Sequence, residues 1–381
     1  MKIKTLFLLQ ATVILIFSCG DKKFENSSSL NLTLVDSLTI ELDSSTSNNW
    51  NLIQYFDHHD EDYLVFKDAI TTEPDFINFL SLDKGKIDFR LSLFKQGANG
   101  VGKMTGFYVE NLDSIFVLNG YSYALFLMDS SGVIKKKYSL LKDRVGATSS
   151  LPLVSTKSQM FRKGDTLYIP SYPDEEPYQK NYENTNLLIC LNLNTGGFNY
   201  RVGYPQRYKN GFWAFEHALP SFGFDKASGT ILINYPIDEN IHALAGGKLS
   251  LHPSPSAFFK ESPKPLSSYT EDRRDVLEFQ LSTNRYSAVY FDPYRKLYYR
   301  ACVGRYDDDS IDKMISGEKG NPSQSSLIVM NFDFVKIGEV VLEKGFAALS
   351  SLVVTEKGIM MRKYEDSEDV QKLLFFRVDT P

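Results

Sequence analysis

The densest group of chemically versatile side chains lies in residues 203–217. Aromatic rings stack on sugars, an arginine clamps an anion, and a histidine beside a glutamate can transfer protons. We predict that this segment contacts a ligand together with part of a second long segment; the candidate ligand-binding residues are Arg207, Tyr208, Trp213, Glu216, His217, Arg285 and Tyr286. The alternative is that the aromatic side chains simply close the core between two structural repeats.

Two acidic runs look like metal sites, but neither has the right spacing. Residues 57–62 place two histidines among carboxylates in a polar turn, where adjacent side chains point apart. Residues 307–309 are three aspartates without the glycine and the spaced oxygen ligands of a calcium loop. We therefore predict no metal and no cofactor, and no residue can be named as catalytic from its spacing.

The N-terminus has the layout of a lipoprotein signal peptide. Two lysines precede an apolar run, residues 6–17, which ends at Ser-Cys-Gly. Such a run is too short to cross about 30 Å of hydrocarbon well. We predict that residues 1–18 are removed and that Cys19 carries the lipid, in a bacterial outer membrane, on its periplasmic or its surface side. The alternative is an ordinary secretory signal that contains a cysteine.

Composition limits the partners of the mature chain. The formal charge is −5, and it becomes −7 without residues 1–18, which contain two lysines and no acidic residue. A mildly acidic chain without a basic stripe does not suit nucleic acid. The other cysteines, Cys190 and Cys302, lie in apolar runs, which indicates buried thiols, with a disulfide as the alternative.

A strand, a polar turn and a second strand recur six times along the chain. The first strand of each copy ends 52 to 67 residues after the previous one, at residues 57, 110, 162, 225, 292 and 355. A second hairpin follows most copies, with Asp and Gly at its turn. Four short antiparallel strands per repeat predict an all-β fold, a β-propeller with six blades. Seven blades stay possible, because the interval from 225 to 292 is long.

The two ends of the chain are predicted to complete one blade. The last repeat ends at residues 373–379 with three strands, and residues 38–42 form an apolar strand without a partner of its own. We expect these segments to pair, so that no sheet edge is left open inside the ring. Residues 31–381 would then form a single domain, and the Ser-rich residues 19–30 a flexible tether. We also expect the connections between blades, including 203–217, to surround the mouth of the central channel.

With this layout, residues 97–109 (GANGVGKMTGFYV) and residues 113–117 (DSIFV) suggest a relationship. The chain resembles a family of Bacteroidetes lipoproteins, domain of unknown function 4221, akin to six-bladed propeller lipoproteins of that phylum. The resemblance covers essentially the whole mature chain. It implies a propeller fold and export, and it brings no catalytic residues with it.

Three functions remain open from the sequence. The leading hypothesis is a membrane-anchored module that binds a glycan, a small molecule or a protein at the channel mouth. The second is an exported hydrolase or lyase acting on carbohydrate or peptide, for which His217, Glu216 and Arg207 are the candidates. The third is a scaffold subunit without catalysis. The sequence leaves the oligomeric state open.

The lipid anchor gives a direct prediction. Cells that express the protein and grow with an alkyne-tagged palmitate should label it, and Cys19→Ala should remove the label, because the acceptor thiol is lost. Cys190→Ala is the matched control and should keep it. Label retained in the Cys19 variant would contradict the prediction.

Overall fold

A computed structural model describes residues 30–379, except 60, 70–72, 142–149, 174–181, 184–185, 260, 267, 269, 346–347 and 364–368. The predicted signal peptide, Cys19 and most of the predicted tether lie outside the described residues. None of the helices within the described ranges has the length and apolar composition needed to cross a membrane.

The strands form six antiparallel sheets, each built from four or five strands, arranged as a six-bladed β-propeller. The predicted fold class is therefore confirmed. The strands of blades 1 and 2 are Trp50–His58, Glu61–Asp68, Asp75–Ser81 and Lys86–Leu93, then Gly106–Asn111, Ser114–Asn119, Ala124–Met128 and Ile134–Ser139. The strands of blades 3 and 4 are Ser150–Pro152, Phe161–Lys163, Thr166–Pro173, Leu188–Asn192 and Phe198–Arg201, then Ser221–Asp225, Thr230–Asn234, Asn240–Ala245 and Lys248–Pro253. The strands of blades 5 and 6 are Arg285–Asp292, Leu297–Val303, Ser325–Met330 and Lys336–Leu342, then Ala348–Val354, Ile359–Lys363, Val370–Val378 and Leu32–Glu41.

The middle strands of the blades are apolar and largely buried. Ser114–Asn119, for example, is buried at five of its six positions, because a middle strand of a blade packs on both faces against the neighbouring blades. The turns follow the Asp-to-Gly pattern seen in the sequence. In the hairpin after Met128, Gly132 has a φ of 82° and its N–H donates to Asp129 O at 3.0 Å.

The N-terminal strand closes the ring. Leu32–Glu41 pairs with Val370–Val378 in antiparallel register, with Leu38 opposite Leu373 and Ile40 opposite Gln371. Ile40 is then buried in a cluster that joins blades 6 and 1. The predicted latch is confirmed, and it places the two ends of the described chain side by side on the outside of blade 6.

Polar contacts lock the same joint. The guanidinium of Arg362, in blade 6, lies 5.1 Å from the ring of Trp50, in blade 1, and donates to Trp50 O at 3.1 Å. The Trp50 ring in turn stacks on Phe66 at 3.9 Å. A cation, an indole and a benzyl ring thus fix the first blade against the last.

Blade 3 departs from the expected pattern. Its inner strand is predicted over residues 159–162 but is split into Ser150–Pro152 and Phe161–Lys163. Both pieces pair with the single long strand Thr166–Pro173, one at each end. Residues 153–160, which join the two pieces, therefore leave the sheet as an excursion.

The long interval between blades 4 and 5 contains a helix rather than a seventh blade. The helix Arg273–Ser282 is capped by Asp272, whose side chain accepts from Arg274 N. A further helix, Asp308–Ile315, lies between the second and third strands of blade 5, and Asp307 caps it by accepting from Ser310 N. A short helix, Phe215–Ala218, and a 3-10 turn, Gln206–Asn210, lie between blades 3 and 4.

Both remaining cysteines are buried and free. Burial raises the pKa of the Cys190 thiol to about 11 and that of Cys302 to about 12. The prediction of buried thiols is confirmed, and the ring is held by its core rather than by a disulfide.

The latch generates a stability prediction. Ile40→Ala should lower the free energy of unfolding by about 2–5 kcal/mol, because it leaves a cavity between blades 6 and 1. Thr39→Ala, at an exposed position of the same strand, is the control and should change it by less than about 0.5 kcal/mol. Urea unfolding of both variants measures the difference, and equal losses would argue against the latch.

Candidate functional site in the central channel

The course of the inner strands defines two faces of the ring. Each inner strand starts at the connection from the preceding blade and ends at the turn into its own second strand. We call the first side the connection face and the second the turn face. Residues 203–217 join blade 3 to blade 4 and therefore lie on the connection face.

A cavity of about 490 Å³ occupies the channel toward the turn face. All six blades line it, with the later residues of their inner strands and the turns that follow. Asp57, Lys226 and Tyr294 stand at its exposed rim. The expectation that the connections surround the mouth is wrong for this cavity, because it opens at the opposite end of the inner strands.

The excursion of blade 3 forms the floor of the cavity. Ile53 N, in blade 1, donates to Thr156 Oγ1 at 3.0 Å, and Gln159 Nε2 donates to Ile53 O at 2.7 Å. Phe222 N, in blade 4, donates to Ser158 Oγ at 3.3 Å. Blades 1 and 3 are not neighbours, so these bonds require residues 153–160 to reach across the channel.

Close packing against blade 2 holds the excursion in place. Val154 is buried against Gly106 of blade 2, where an added Cβ would lie 2.8 Å from the valine Cβ. Beside it, Gln54 bridges blades 1 and 2 through both ends of its amide, donating to Val109 O at 2.6 Å and accepting from Val109 N at 2.9 Å. The channel is thereby turned into a cup that opens on the turn face.

Aromatic rings form one wall of the cup. Phe161 of blade 3 and Phe224 of blade 4 stack with centroids 4.5 Å apart, and Phe291 of blade 5 continues this surface. Tyr168 stacks behind Phe161 at 4.9 Å. Such a wall offers an apolar face to one part of a ligand.

The rim is polar. Glu110 of blade 2 and Arg162 of blade 3 form an ion pair at 2.7 Å. Tyr55 Oη donates to Asp62 Oδ1 at 2.5 Å, and burial together with this carboxylate raises the pKa of the Tyr55 phenol. Tyr55 therefore stays a neutral donor across the physiological pH range.

The structure brings the residues predicted from sequence together, but away from the cup. The backbones of Phe212 and Leu266 pair in an isolated antiparallel β-bridge, and Arg207 Nη2 donates to Pro263 O at 3.2 Å. Glu216 and Arg285 form an ion pair at 2.5 Å, with the Glu216 side chain about half exposed (49%). The two long connections thus converge on the connection face, as their composition suggested.

Four of the predicted residues are buried there. Trp213 and His217 both contact Phe279, at centroid distances of 6.4 and 5.1 Å. Tyr208 Oη donates to His217 O at 2.8 Å, and Tyr286 lies under the Arg300 guanidinium at 3.6 Å. These positions correspond to the alternative in which the aromatic side chains close the core; ligand contact by them stays a prediction.

The buried histidine is held neutral. Burial lowers the pKa of His217 to about 3, and the nearby Arg285 charge acts in the same direction. Its Nε2 lies 3.3 Å from Thr283 O and donates to it. Its Nδ1 and Trp213 Nε1 have no hydrogen-bond partner among the described residues.

Sequence reasoning missed the residues of the cup. Asp57, Glu110 and Arg162 occupy the last position of the recurring inner strand, which marked the repeat but was interpreted only as turn chemistry. A comparison of that position around the ring could have found them. The excursion could not have been found this way, because residues 153–160 carry no loop signal stronger than that of other connections.

The acidic runs have local roles in the structure. Asp62 binds Tyr55, and Asp307 caps a helix. Among the residues that the structure describes, no group of three or more His, Cys, Asp or Glu side chains could hold a metal ion.

Comparison of the sequence with known protein families assigns the chain to one of them. The model of a family described as a domain of unknown function, DUF4221, matches residues 29–340. The chain belongs to the DUF4221 family. No curated protein matches the sequence.

Two solved structures are similar to this DUF4221 protein. A DUF4221 member from Bacteroides vulgatus is 18% identical and superposes with a TM-score of 0.81, over 93% of this chain and 100% of that one. A Bacteroides fragilis protein whose provisional name is exported protein is 10% identical, with a TM-score of 0.56 over 92% of this chain and 96% of that one. Both likenesses show the fold.

The neutral His217 gives a pH prediction. Its folded pKa of about 3 lies below the ordinary value of 6.5, so unfolding binds a proton between these values and stability falls as the pH is lowered through that window. His217→Gln should make the pH dependence shallower by about 1.4 kcal/mol per pH unit near pH 5. Urea unfolding from pH 7 to 4 measures both slopes, and identical slopes would show that His217 titrates normally.

Proposed function

We propose that this DUF4221 protein is an exported, lipid-anchored binding module that takes a small ligand into the cup from the turn face. The observation that carries the proposal is the floor: Thr156 and Ser158 accept, and Gln159 donates, the hydrogen bonds that hold residues 153–160 across the channel. A pocket with a floor and several kinds of wall suits recognition of a compact ligand.

The size and lining of the cup support this proposal. Its volume of about 490 Å³ lies in the range that holds small molecules. Aromatic rings on one wall and charged groups at the rim supply apolar contact and orientation together. A protein partner would instead call for a broad exposed surface, which the cup does not offer.

No observation favours the hydrolase or lyase alternative. Its best candidate, His217, lies in the core on the connection face, and the described residues that line the cup include no histidine. Glu216 is engaged by Arg285, and Arg207 by a backbone carbonyl. We therefore propose binding, with the aromatic wall and the rim as its contacts.

Export and anchoring rest on the N-terminal sequence. The charged start, the apolar run and Cys19 support lipidation. The provisional name of the similar Bacteroides fragilis protein, exported protein, agrees with a place outside the cytoplasm. The ring would then stand on its tether in the cell envelope.

A blocked cup tests the proposal. Val354 lines the cavity and is half-buried, so Val354→Phe should fill part of it and weaken ligand binding by about tenfold or more. Thermal-shift screening with glycans, peptides and metabolites finds the ligand, and calorimetry gives the affinity.

Val335→Phe is the matched control, because Val335 is 57% exposed on an outer hairpin. It should bind like the wild type, and both variants should unfold cooperatively. A ligand that binds the Val354 variant with unchanged affinity would place the site elsewhere, and a screen in which nothing binds would refute the proposal.

A further inference from the structure

We propose that the ligand of the cup is a short peptide with free termini, its ammonium group directed to the blade 1 side of the rim and its carboxylate to the blade 4 side. This inference rests on the proposed function, since it specifies the ligand class of the same cavity. It follows from the arrangement of charges, the volume of the cup and its backbone edges.

Two rim charges face each other across the ring. Asp57 lies one residue before the end of the inner strand of blade 1, and Lys226 follows the inner strand of blade 4. Both line the cavity and both are exposed. Six blades surround the axis, so blades 1 and 4 are opposite, and a carboxylate stands across the opening from an ammonium group.

Asp57 and Lys226 are exposed charges at the rim, and a further cavity-lining charge, Lys157 of the excursion, is partly buried. The side chains of Asp57 and Lys226 make no hydrogen bond or ion pair within the described part of the chain. Three other cations near the rim are occupied: Arg162 binds Glu110, Lys163 Nζ donates to Gly229 O at 3.0 Å, and Arg295 binds Asp292.

The neighbouring charges strengthen the polarity. Asp57, Asp62 and Glu356 all act on Tyr294, which places three carboxylates on the side of blades 5, 6 and 1. On the side of blades 3 and 4, Lys226 is accompanied by Lys157 and Lys163, whereas the charge of Arg162 is balanced by Glu110. A ligand with a cationic and an anionic end gains from both sides, whereas a neutral sugar gains from neither.

The dimensions select a peptide over a single amino acid. A sphere with the volume of the cup has a diameter of about 10 Å, and an extended chain spans about 3.3–3.6 Å per residue. Two or three residues therefore span a cavity of this size, whereas a single residue spans about a third of it. The wall of Phe161 and Phe224 would receive an apolar side chain.

The inner strands also suit a peptide backbone. Each pairs with a second strand on one side only, and no further strand is paired to its channel side among the described residues. Backbone N–H and C=O groups of these strands therefore alternate toward the channel, and those of Ile53, Val109 and Phe222 are already bonded to Thr156, Gln159, Gln54 and Ser158. A peptide can bond to the remaining groups, as an added strand does at a sheet edge.

Calorimetry on the purified mature protein tests the inference. The probe is an equimolar mixture of free tripeptides Ala-Xaa-Ala with Xaa as Phe, Leu, Val or Tyr, followed by the best single peptide. We expect binding, weakened by about tenfold or more when the N-terminus is acetylated or the C-terminus is amidated, because each change removes one charge.

Charge variants assign the two ends. Asp57→Asn should weaken binding of the free peptide to a similar extent, and acetylation of the peptide should then lower the affinity little further. Lys226→Gln should likewise weaken binding of the free peptide and make the affinity insensitive to amidation. The controls are Asp83→Asn and Lys248→Gln, exposed positions in the outer hairpin turns of the same two blades, and they should bind like the wild type.

The outcomes separate this inference from the proposed function. If a neutral ligand or a doubly capped peptide binds with the affinity of the free peptide, and Val354→Phe still blocks it, the peptide class is wrong and the cup remains the site. If acetylation of the peptide lowers its affinity for the Asp57→Asn variant as much as for the wild type, the assigned orientation is wrong. If no tripeptide and no other ligand binds, both proposals fail together.

Discussion

Pairing of the first strand with the last governs the rest of this structure. A ring of sheets is stable only if each blade is complete, since a missing strand would expose the apolar face of its neighbours and leave an unpaired edge. Leu32–Glu41 supplies the missing strand of blade 6 and carries Ile40 into the joint with blade 1. The diameter of the channel, and therefore the cup, depends on this closure.

The second constraint is the interruption of blade 3. Residues 153–160 leave the inner strand and tie blade 3 both to its neighbour, blade 4, and to blade 1, which is not its neighbour. They separate the two faces of the ring. The connection face carries the buried aromatic cluster around Trp213, and the turn face carries the entrance to the cup.

The periodic features of this fold could be predicted from sequence, and the site could not. Strand pairs such as Phe56 opposite Tyr63 follow from apolar alternation, and the latch follows from counting strands. The cluster of Arg207, Trp213 and His217 drew attention because its composition suits a ligand, yet the same rings also suit a core between blades. Side chains such as Asp57 and Lys226 meet only through the symmetry of the ring, which sequence spacing does not display.

Amide hydrogen exchange with mass spectrometry on the mature protein tests the closure most directly. The account predicts that peptides from Leu32–Glu41 and Val370–Val378 exchange slowly and together, near the rate of global unfolding, because the two strands pair with each other in blade 6. Rapid exchange in Leu32–Glu41 beside a protected Val370–Val378 would show that the N-terminal strand does not hold the ring shut, and would contradict the account.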